Sequence, residues 1–161
     1  MGLIMEEIFL RKVSSADIHE VFAHSNEAYV REHSIRKEKI TWEEHVRWFD
    51  HMLGDKMHVF YVITDHSDRF LGQIRYQIEG DQAVVSISLS KLIMGKGLSR
   101  NLLQESMKKL YEDRKEVKTI VAYVSENNIA SNHLFQKSRY TFVDKKKELL
   151  KYIYTERGKE V

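Results

Sequence analysis

The most constraining feature of the sequence is an alternating segment that leads, through a loop with two glycines, into a long amphipathic segment. Between residues 84 and 90, valine, isoleucine and leucine alternate with serine, which predicts a β-strand with one apolar face. Residues 91–97 form a loop that contains Gly95 and Gly97, and residues 98–114 carry apolar side chains at helical spacing. A chain built around this unit brings backbone N–H groups together where the loop meets the helix.

The same loop has the properties of an anion site. Glycine lets N–H groups turn toward one point without a Cβ in the way, and the start of a helix adds unpaired donors and a partial positive charge. We therefore predict a site for phosphate or diphosphate, with Lys96 as a positive charge at its rim. Arg100 stands where the dinucleotide-binding pattern needs a third glycine, and Leu98 stands where the nucleotide phosphate loop needs lysine. A plain strand-to-helix turn is the alternative that the motif leaves open.

The remaining hydrophobic patterns predict a single α+β domain over residues 1–161. Further strands are predicted at residues 8–13, 58–64, 70–78, 119–124, around Phe142 and at 149–154, and further helices after Ser14, after Thr41 and at 128–137. Residues 29–39 are charged, show no periodicity and are predicted to form a loop. The order is therefore β-α-α-β-β-β-α-β-α-β-β. It predicts a mixed, mostly antiparallel twisted sheet flanked by helices, with one parallel pair across the long helix.

Composition and charge exclude several classes of function. The net charge of +2 is too small to indicate nucleic-acid binding, and no apolar run is long enough to span a membrane. The chain has no cysteine and its eight histidines form no metal-binding pattern, so we expect neither a disulfide nor a metal ion. Residues 1–10 are interrupted by Glu6 and Glu7 and lack the pattern of a signal peptide, so we expect a soluble cytoplasmic protein.

A second motif follows the strand that is predicted after the long helix. It runs Asn128-x-x-Ser131-x-x-Leu134-Phe135-x-Lys137, with Asn128 placed to cap a helix. With this motif the chain resembles the GNAT superfamily of N-acetyltransferases. The glycine loop looks like the family's pyrophosphate loop, and the second motif looks like its Asn-x-x-Ala-x-x-Leu-Tyr-x-Lys. The order of elements also resembles the family's over nearly the whole chain.

The resemblance implies a GNAT acyl-CoA N-acyltransferase fold and a reaction. Acetyl-CoA would be the cosubstrate, with its pantetheine arm in a cleft between the strands that end at Leu89 and Val124. The implied cofactor-binding residues are Leu89, Ser90, Met94, Gly95, Lys96, Gly97, Leu98, Ser99, Asn128, Ser131 and Phe135. Many members have, at the position of Phe135, a tyrosine that protonates the departing thiolate, which leaves the general acid unassigned here. A C-terminal strand of this superfamily often pairs across a dimer, so the resemblance also suggests a homodimer.

A narrower resemblance concerns the acceptor. The first half of the chain looks like enzymes that acetylate an amino group on a nucleotide-linked sugar, as in pseudaminic-acid biosynthesis. The passages that carry this likeness are Asn26-x-x-x-Val30-Arg31, Trp42-Glu43-Glu44-His45-x-x-Trp48-Phe49 and Gly72-Gln73-Ile74-Arg75. The likeness implies a small-molecule amine, here a nucleotide sugar, bound by Arg75 at a phosphate, by Trp48 through stacking and by Arg31.

Two other functions fit the same sequence. One is an N-acetyltransferase for a protein N-terminus or a small amine such as a polyamine, and the other is a module that binds acyl-CoA without chemistry, which Phe135 favours. A nucleotide-linked acceptor predicts that Arg75 and Trp48 line the acceptor cleft, whereas a peptide acceptor predicts an open acidic groove. Trp42 and Phe49 fall on the apolar stripe of their predicted helix and are expected in the core.

Acetyl transfer needs an uncharged amine, a polarised thioester carbonyl and a stabilised thiolate. No nucleophilic side chain stands out, so we expect direct attack of the amine on the thioester, with backbone N–H groups near Leu89 stabilising the oxyanion. A carboxylate or imidazole is wanted to take up the proton of the amine, and Glu126 is the first candidate and His45 the second. Either residue could instead be structural, Glu126 as a loop carboxylate and His45 on a helix face.

Overall fold

The computed structural model describes residues 4–156. Within them the strands are β1 (Ile8–Lys12), β2 (His58–Asp65), β3 (Phe70–Glu79), β4 (Gln82–Leu89), β5 (Thr119–Ser125), β6 (Thr141–Lys146) and β7 (Leu149–Thr155). The helices are α1 (Ile18–Ser25), α2 (Ala28–Glu32), α3 (Trp42–Gly54), α4 (Ser99–Asp113) and α5 (Ile129–Lys137). None of the helices in this range is long and apolar enough to cross a membrane. Residues 1–3, part of the stretch considered above as a signal peptide, lie outside the described range, as do residues 157–161 of the predicted domain.

The order of elements confirms the predicted α+β fold, with α2 as an addition inside the segment predicted to be a loop. The Asn26 side chain donates to the Ile40 carbonyl oxygen at 2.9 Å and accepts from the Ile40 N–H at 2.7 Å. Arg31 Nε donates to the Ser25 carbonyl oxygen at 2.8 Å. Because these bonds join residues up to 14 positions apart, hydrophobic periodicity does not reveal this helix.

The sheet has the strand order β1-β2-β3-β4-β5-β7-β6. Neighbouring strands are antiparallel except β4 and β5, which pair in parallel on either side of the crossover through α4. This arrangement confirms the predicted mixed sheet and the parallel pair across the long helix.

The sheet opens between β4 and β5. Parallel pairing joins residues 82–85 of β4 to residues 119–122 of β5 and then stops. Yet β4 continues to Leu89 and β5 to Ser125, each still paired with its other neighbour, β3 or β7. The facing edges of the two strands therefore leave a gap, which has the position of the cleft expected from the sequence.

Two apolar clusters lie on opposite faces of the sheet, because alternate residues of β2 enter different clusters. Tyr61 belongs to the larger cluster, which fills the side of α4, where Leu102 is almost fully buried. Phe60 belongs to the smaller cluster, where Val21 of α1 and Phe49 of α3 pack on the sheet. Burial of each such side chain contributes about 1.5–3 kcal/mol, so both helical layers are held to the sheet mainly by apolar contact.

Gly72 on β3 determines how closely β3 approaches the end of β4. Its φ is +149°, and a Cβ at this position would lie 2.8 Å from the Ser88 carbonyl oxygen and 3.0 Å from the Leu89 Cα. Both are backbone atoms, which cannot move without displacing β4. The edge of the gap is therefore positioned by a residue that has no side chain.

We predict that Gly72→Ala lowers the free energy of unfolding by about 2 kcal/mol, because the new Cβ meets backbone and the φ angle is strained for alanine. Gly54→Ala is the matched control, since a Cβ there would have no heavy atom within 4 Å, and it should leave stability unchanged or slightly raised. Chemical denaturation followed by circular dichroism measures both. Equal stability of the two variants would contradict this account of the β3–β4 contact.

Candidate active site

The glycine loop makes a tight turn whose backbone is open on one side. The N–H groups of Ile93 and Met94 both donate to the Ser90 carbonyl oxygen at 3.1 Å. Gly95 and Gly97 then adopt φ values of +70° and +75°, a left-handed conformation that favours glycine. A Cβ at either glycine would have no heavy atom within 4 Å, so a bound group has room to approach this backbone closely.

Helix α4 begins at this loop without a side-chain cap. The side chains of Thr41 and Asn128 cap α3 and α5, whereas Leu98 at the start of α4 offers no acceptor. Within residues 4–156, the N–H groups of Gly97, Leu98 and Ser99 donate to no protein atom. Unpaired donors and the positive end of the helix dipole therefore meet at one place, which suits an anion such as a diphosphate.

The backbone of Leu89 faces the gap between β4 and β5. The Ser90 N–H donates to the Leu71 carbonyl oxygen on β3 at 2.8 Å. Because backbone groups alternate in direction along a strand, the N–H and C=O of Leu89 point away from β3, to the side where β5 has separated. The Tyr29 hydroxyl donates to the Leu89 carbonyl oxygen at 3.2 Å, which brings α2 to the edge of the gap.

A cavity of about 430 Å³ lies beside the end of β4, between α1, the start of α2 and the glycine loop. Its lining includes Glu20, His24, Glu27, Tyr29, Ser90 and Lys91. Glu20 and Glu27 are exposed and give one wall two carboxylates, while the Lys91 ammonium lies 4.9 Å from the centre of the Tyr29 ring. Since Tyr29 also contacts Leu89, the cavity adjoins the gap in the sheet.

His24 forms the inner wall of this cavity. Its side chain is buried, and its Nε2 lies 2.6 Å from the Ser88 Oγ on β4. The Phe70 ring is tilted against it at 5.3 Å and the Tyr29 ring meets it edge-on at 6.1 Å between centroids. Burial lowers the pKa of His24 to about 4, against a smaller opposing effect of the Glu27 charge. The imidazole is therefore uncharged at neutral pH.

Both tryptophans of α3 are partly exposed, and neither lines the cavity. Trp48, predicted to stack on a substrate, packs into the smaller cluster, and the Arg75 guanidinium carbon lies 5.0 Å from its ring centroid and 5.8 Å from that of Phe60. Trp42, predicted in the core, is 37% exposed and stacks on His19 at 4.9 Å. The Arg75 Nε is buried without a hydrogen-bond partner, and burial lowers the pKa of Arg75 to about 10. Arg75 and Trp48 thus contact each other and do not line the cavity.

His45 and Arg31, predicted to contact substrate, are held by the protein backbone. His45 is 1% exposed, its Nε2 lies 2.8 Å from the Ile18 carbonyl oxygen, and burial lowers its pKa. Arg31 donates to the carbonyl oxygens of Ser25 at 2.8 Å and Arg36 at 3.0 Å. His45 therefore joins α1 to α3, and Arg31 fastens the segment around α2. Sequence spacing alone does not distinguish such buried polar contacts from substrate contacts.

The residues of the second motif belong to α5 and the core. The Asn128 Oδ1 accepts from the Ser131 N–H at 3.1 Å, which is the predicted helix cap. Phe135 is 3% exposed and packs edge-on against Tyr140 at 4.9 Å and nearly parallel to Tyr152 at 6.2 Å. Phe135 is therefore covered by aromatic neighbours in the structure.

Glu126 stands immediately after β5, on the other side of the gap from Leu89. Its Oε2 lies 2.6 Å from the Lys145 Nζ, and its N–H donates to the Glu148 carbonyl oxygen at 2.8 Å. Both contacts tie it to the hairpin formed by β6 and β7. To act as a base the carboxylate would have to leave this ion pair, so its catalytic role stays a prediction.

Sequence reasoning missed the residues that line the cavity, namely Glu20, His24, Glu27 and Tyr29. Glu20 and His24 belong to α1, Glu27 directly precedes α2, and Tyr29 begins the segment predicted as a loop. No motif marks them. The one signal in the sequence is the serine-bearing face of β4. A polar strand face that helices cover indicates a binding site rather than a hydrophobic core. Within the described residues, no group of three or more histidine, aspartate or glutamate side chains is placed to hold a metal ion.

Comparisons with known proteins agree with this geometry. The family described as the acetyltransferase (GNAT) domain matches residues 7–141. A search of curated proteins found no match. Among solved structures, the spermidine N-acetyltransferase from Vibrio cholerae in complex with CoA and spermine is similar, with a TM-score of 0.82 and 13% identity over 93% of this chain and 96% of that chain.

Two further solved structures are similar over almost their whole length. A domain from Methanocaldococcus jannaschii DSM 2661 gives a TM-score of 0.80 at 22% identity, over 92% of this chain and 97% of that chain. A dodecameric structure of the Vibrio cholerae spermidine N-acetyltransferase gives 0.74 at 14% identity, over 93% and 94%. At these identities the likeness shows the fold.

Burial of His24 predicts a specific dependence of stability on pH. Its folded-state pKa lies below that of an unfolded histidine, so protonation favours the unfolded chain, and the stability present above pH 6.5 is lost as the pH falls toward 4. Between pH 7 and pH 5 the wild type should lose about 2 kcal/mol more than His24→Asn, which cannot titrate. Urea denaturation at both pH values measures this.

The control is His66→Gln, because His66 is exposed in the turn between β2 and β3. This variant should follow the wild type at both pH values. If His24→Asn also follows the wild type, His24 does not have the lowered pKa that its burial implies.

Proposed function

The chain belongs to the acetyltransferase (GNAT) domain family, and from that premise we propose that it transfers the acetyl group of acetyl-CoA to a small, positively charged primary amine. Family membership makes the chain an acetyl-transferring enzyme. The donor and acceptor are argued from two different parts of the site.

The donor half of the proposal rests on the glycine loop and the gap. The free N–H groups of Gly97, Leu98 and Ser99 suit the diphosphate of coenzyme A, and the exposed Lys96 adds positive charge at the rim. The freed edge of β4 before Leu89 offers the pantetheine arm the hydrogen bonds that β5 no longer makes. Acetyl-CoA supplies the acetyl group as a thioester. The Vibrio cholerae spermidine N-acetyltransferase, which is similar in fold, is in complex with CoA.

The single observation that carries the acceptor half is the acidic wall of the cavity. Glu20 and Glu27 face a cavity that adjoins Leu89, so a cation attracted by them arrives next to the gap. Carboxylates on a cavity wall raise the local concentration of cations and lower that of anions. The similar Vibrio cholerae structure is in complex with spermine, a polyamine, which supports an acceptor of this class.

A nucleotide-linked amino sugar fits these residues less well. The resemblance assigned Arg75 to a phosphate, but its guanidinium lies against Trp48 and Phe60 on the side of α3. The carboxylates of the cavity wall would repel a nucleotide diphosphate. We therefore place the small-amine acceptor ahead of the nucleotide sugar.

In this proposal the amine attacks the thioester directly, and the chain binds and orients both reactants. The Leu89 N–H points into the gap and can donate to the thioester oxygen as it becomes negative, a contribution of about 3 kcal/mol in comparable sites. The N–C bond forms first and places negative charge on the thioester oxygen, and the C–S bond then breaks as the carbonyl is restored. The nitrogen loses a proton to water, and the thiolate takes up a proton from water. Phe135 has no proton to donate.

We predict that purified protein releases free thiol from acetyl-CoA fastest with spermidine in a panel of three acceptors. The other two are a peptide with a free N-terminus and a uridine-diphosphate-linked amino sugar, and a thiol-reactive dye measures all three. A faster reaction with the nucleotide sugar would contradict the small-amine acceptor. Release with none of them, despite binding of coenzyme A, would favour a module without chemistry.

The acidic wall predicts a change in KM rather than in kcat. In Glu20→Gln combined with Glu27→Gln, the KM for spermidine should rise about tenfold, because two exposed attractive charges are lost, while kcat changes by less than about twofold. Glu43→Gln is the matched control, since Glu43 is an exposed carboxylate at the start of α3 that does not line the cavity. An equal effect of the control would show that overall charge, and not the cavity wall, determines the KM.

A further inference from the structure

We propose that His24, held by Ser88, accepts a hydrogen bond from the nitrogen of the acceptor amine and so positions the deprotonated amine for attack. This inference rests on the proposed function, since it requires an amine in the cavity. It assigns a catalytic contact to a residue outside both cofactor motifs.

The position of His24 in the cavity carries the first step. Glu20 and Glu27 are exposed on the wall, whereas His24 is 6% exposed and lies where α1 meets β4. An amine in this cavity is therefore within reach of the His24 ring as well as of the two carboxylates. A buried polar group that faces a cavity needs a partner there, and an amine N–H supplies one.

Contacts with Ser88, Phe70 and Tyr29 hold the His24 ring in place. The Nε2 of His24 lies 2.6 Å from the Ser88 Oγ. We assign the tautomer in which Nε2 donates to this oxygen, so that Nδ1 keeps a lone pair for a ligand. Contacts with Phe70 and Tyr29 fix the ring plane, so the direction of that lone pair is fixed as well. A hydrogen-bond acceptor in a fixed position orients one N–H of the amine toward itself. The nitrogen lone pair then points away from His24 and is free to attack the thioester.

His24 is connected to the gap in the sheet through Ser88. Ser88 immediately precedes Leu89, whose N–H and C=O face the gap where the thioester is proposed to lie. Consecutive Cα atoms are about 3.8 Å apart. The group that anchors His24 and the group that binds the donor are thus neighbours on one strand, and the distance between them is fixed by the chain.

The His24 imidazole is uncharged at neutral pH, so it can accept a hydrogen bond from the amine. The titratable groups around the ring are His19, Glu20, Glu27, Tyr29 and Lys91. Burial outweighs the Glu27 charge and keeps the pKa of His24 near 4, so the ring does not repel an amine at neutral pH. The ammonium releases one proton to water before it leaves the wall. After attack the nitrogen loses its second proton to water, so atoms and charge balance.

The test compares His24→Leu with His24→Asn, whose side-chain oxygen restores an acceptor close to the position of Nδ1. With spermidine at pH 7.5, His24→Leu should lower kcat about 30-fold with little change in KM. The kcat of His24→Asn should be about tenfold higher than that of His24→Leu. Ser88→Ala leaves the imidazole in place and removes its anchor, so it should lower kcat about threefold. Calorimetry should give all three variants the wild-type affinity for coenzyme A.

A pH profile adds a readout that a structural role would not change. The kcat/KM of the wild type should rise about tenfold per pH unit toward the pKa of the amine, without an inflection between pH 5.5 and 8, since His24 does not titrate there. An inflection near pH 6.5 that His24→Asn abolishes would overturn the inference, because His24 would then take up a proton.

The outcomes separate this inference from the proposed function. If the wild type acetylates spermidine and His24→Leu, shown to be folded, keeps more than half of kcat, the inference fails alone. If His24→Leu does not fold, Ser88→Ala and His24→Asn decide by the same kcat criterion. If none of the tested amines makes the wild type release thiol, the proposed function fails, and this inference fails with it.

Discussion

The candidate active site depends on the loss of pairing between β4 and β5 beyond Val85 and Ala122. Up to that point the two strands satisfy each other's backbone groups, and beyond it each keeps only its outer neighbour. The freed edge of β4 ends at Leu89, and the chain then turns through the glycine loop into α4. The freed N–H and C=O groups of β4 are available to a ligand, because β5 no longer pairs with them. The gap is therefore where a ligand with extended amide groups fits best.

Groups that attract opposite charges lie near the end of β4. On one side, the free N–H groups of residues 97–99 and the positive end of α4 favour an anion. On the other, Glu20 and Glu27 favour a cation. Electrostatic attraction would bring a donor with a diphosphate to the start of α4 before any specific contact forms. It would likewise bring an acceptor with an ammonium group to the acidic cavity. His24 lies at the inner end of the acidic side, where burial keeps it uncharged.

The parts of the structure that could be predicted from the sequence are those set by local pattern. The strand of alternating serines, the long helix and the caps at Thr41 and Asn128 depend on residues within a few positions of one another, and the structure has them. What could not be predicted depends on contacts between distant segments. Helix α2 is held by bonds across a loop, Trp48 packs partly buried against the cluster on the sheet, and His24 meets Ser88 across 64 positions. The candidate acceptor site is of this second kind, because its lining combines residues of α1, of the start of α2, of β3 and of the segment that follows β4.

The most direct test of the central claim is to follow the backbone amide resonances of residues 95–99 by NMR while coenzyme A is added. The account predicts that these resonances move more than those elsewhere in α4, and that pantetheine, which lacks the diphosphate, leaves them nearly in place. Equal shifts with both compounds, or no shift with coenzyme A, would contradict the claim that the start of α4 binds the diphosphate.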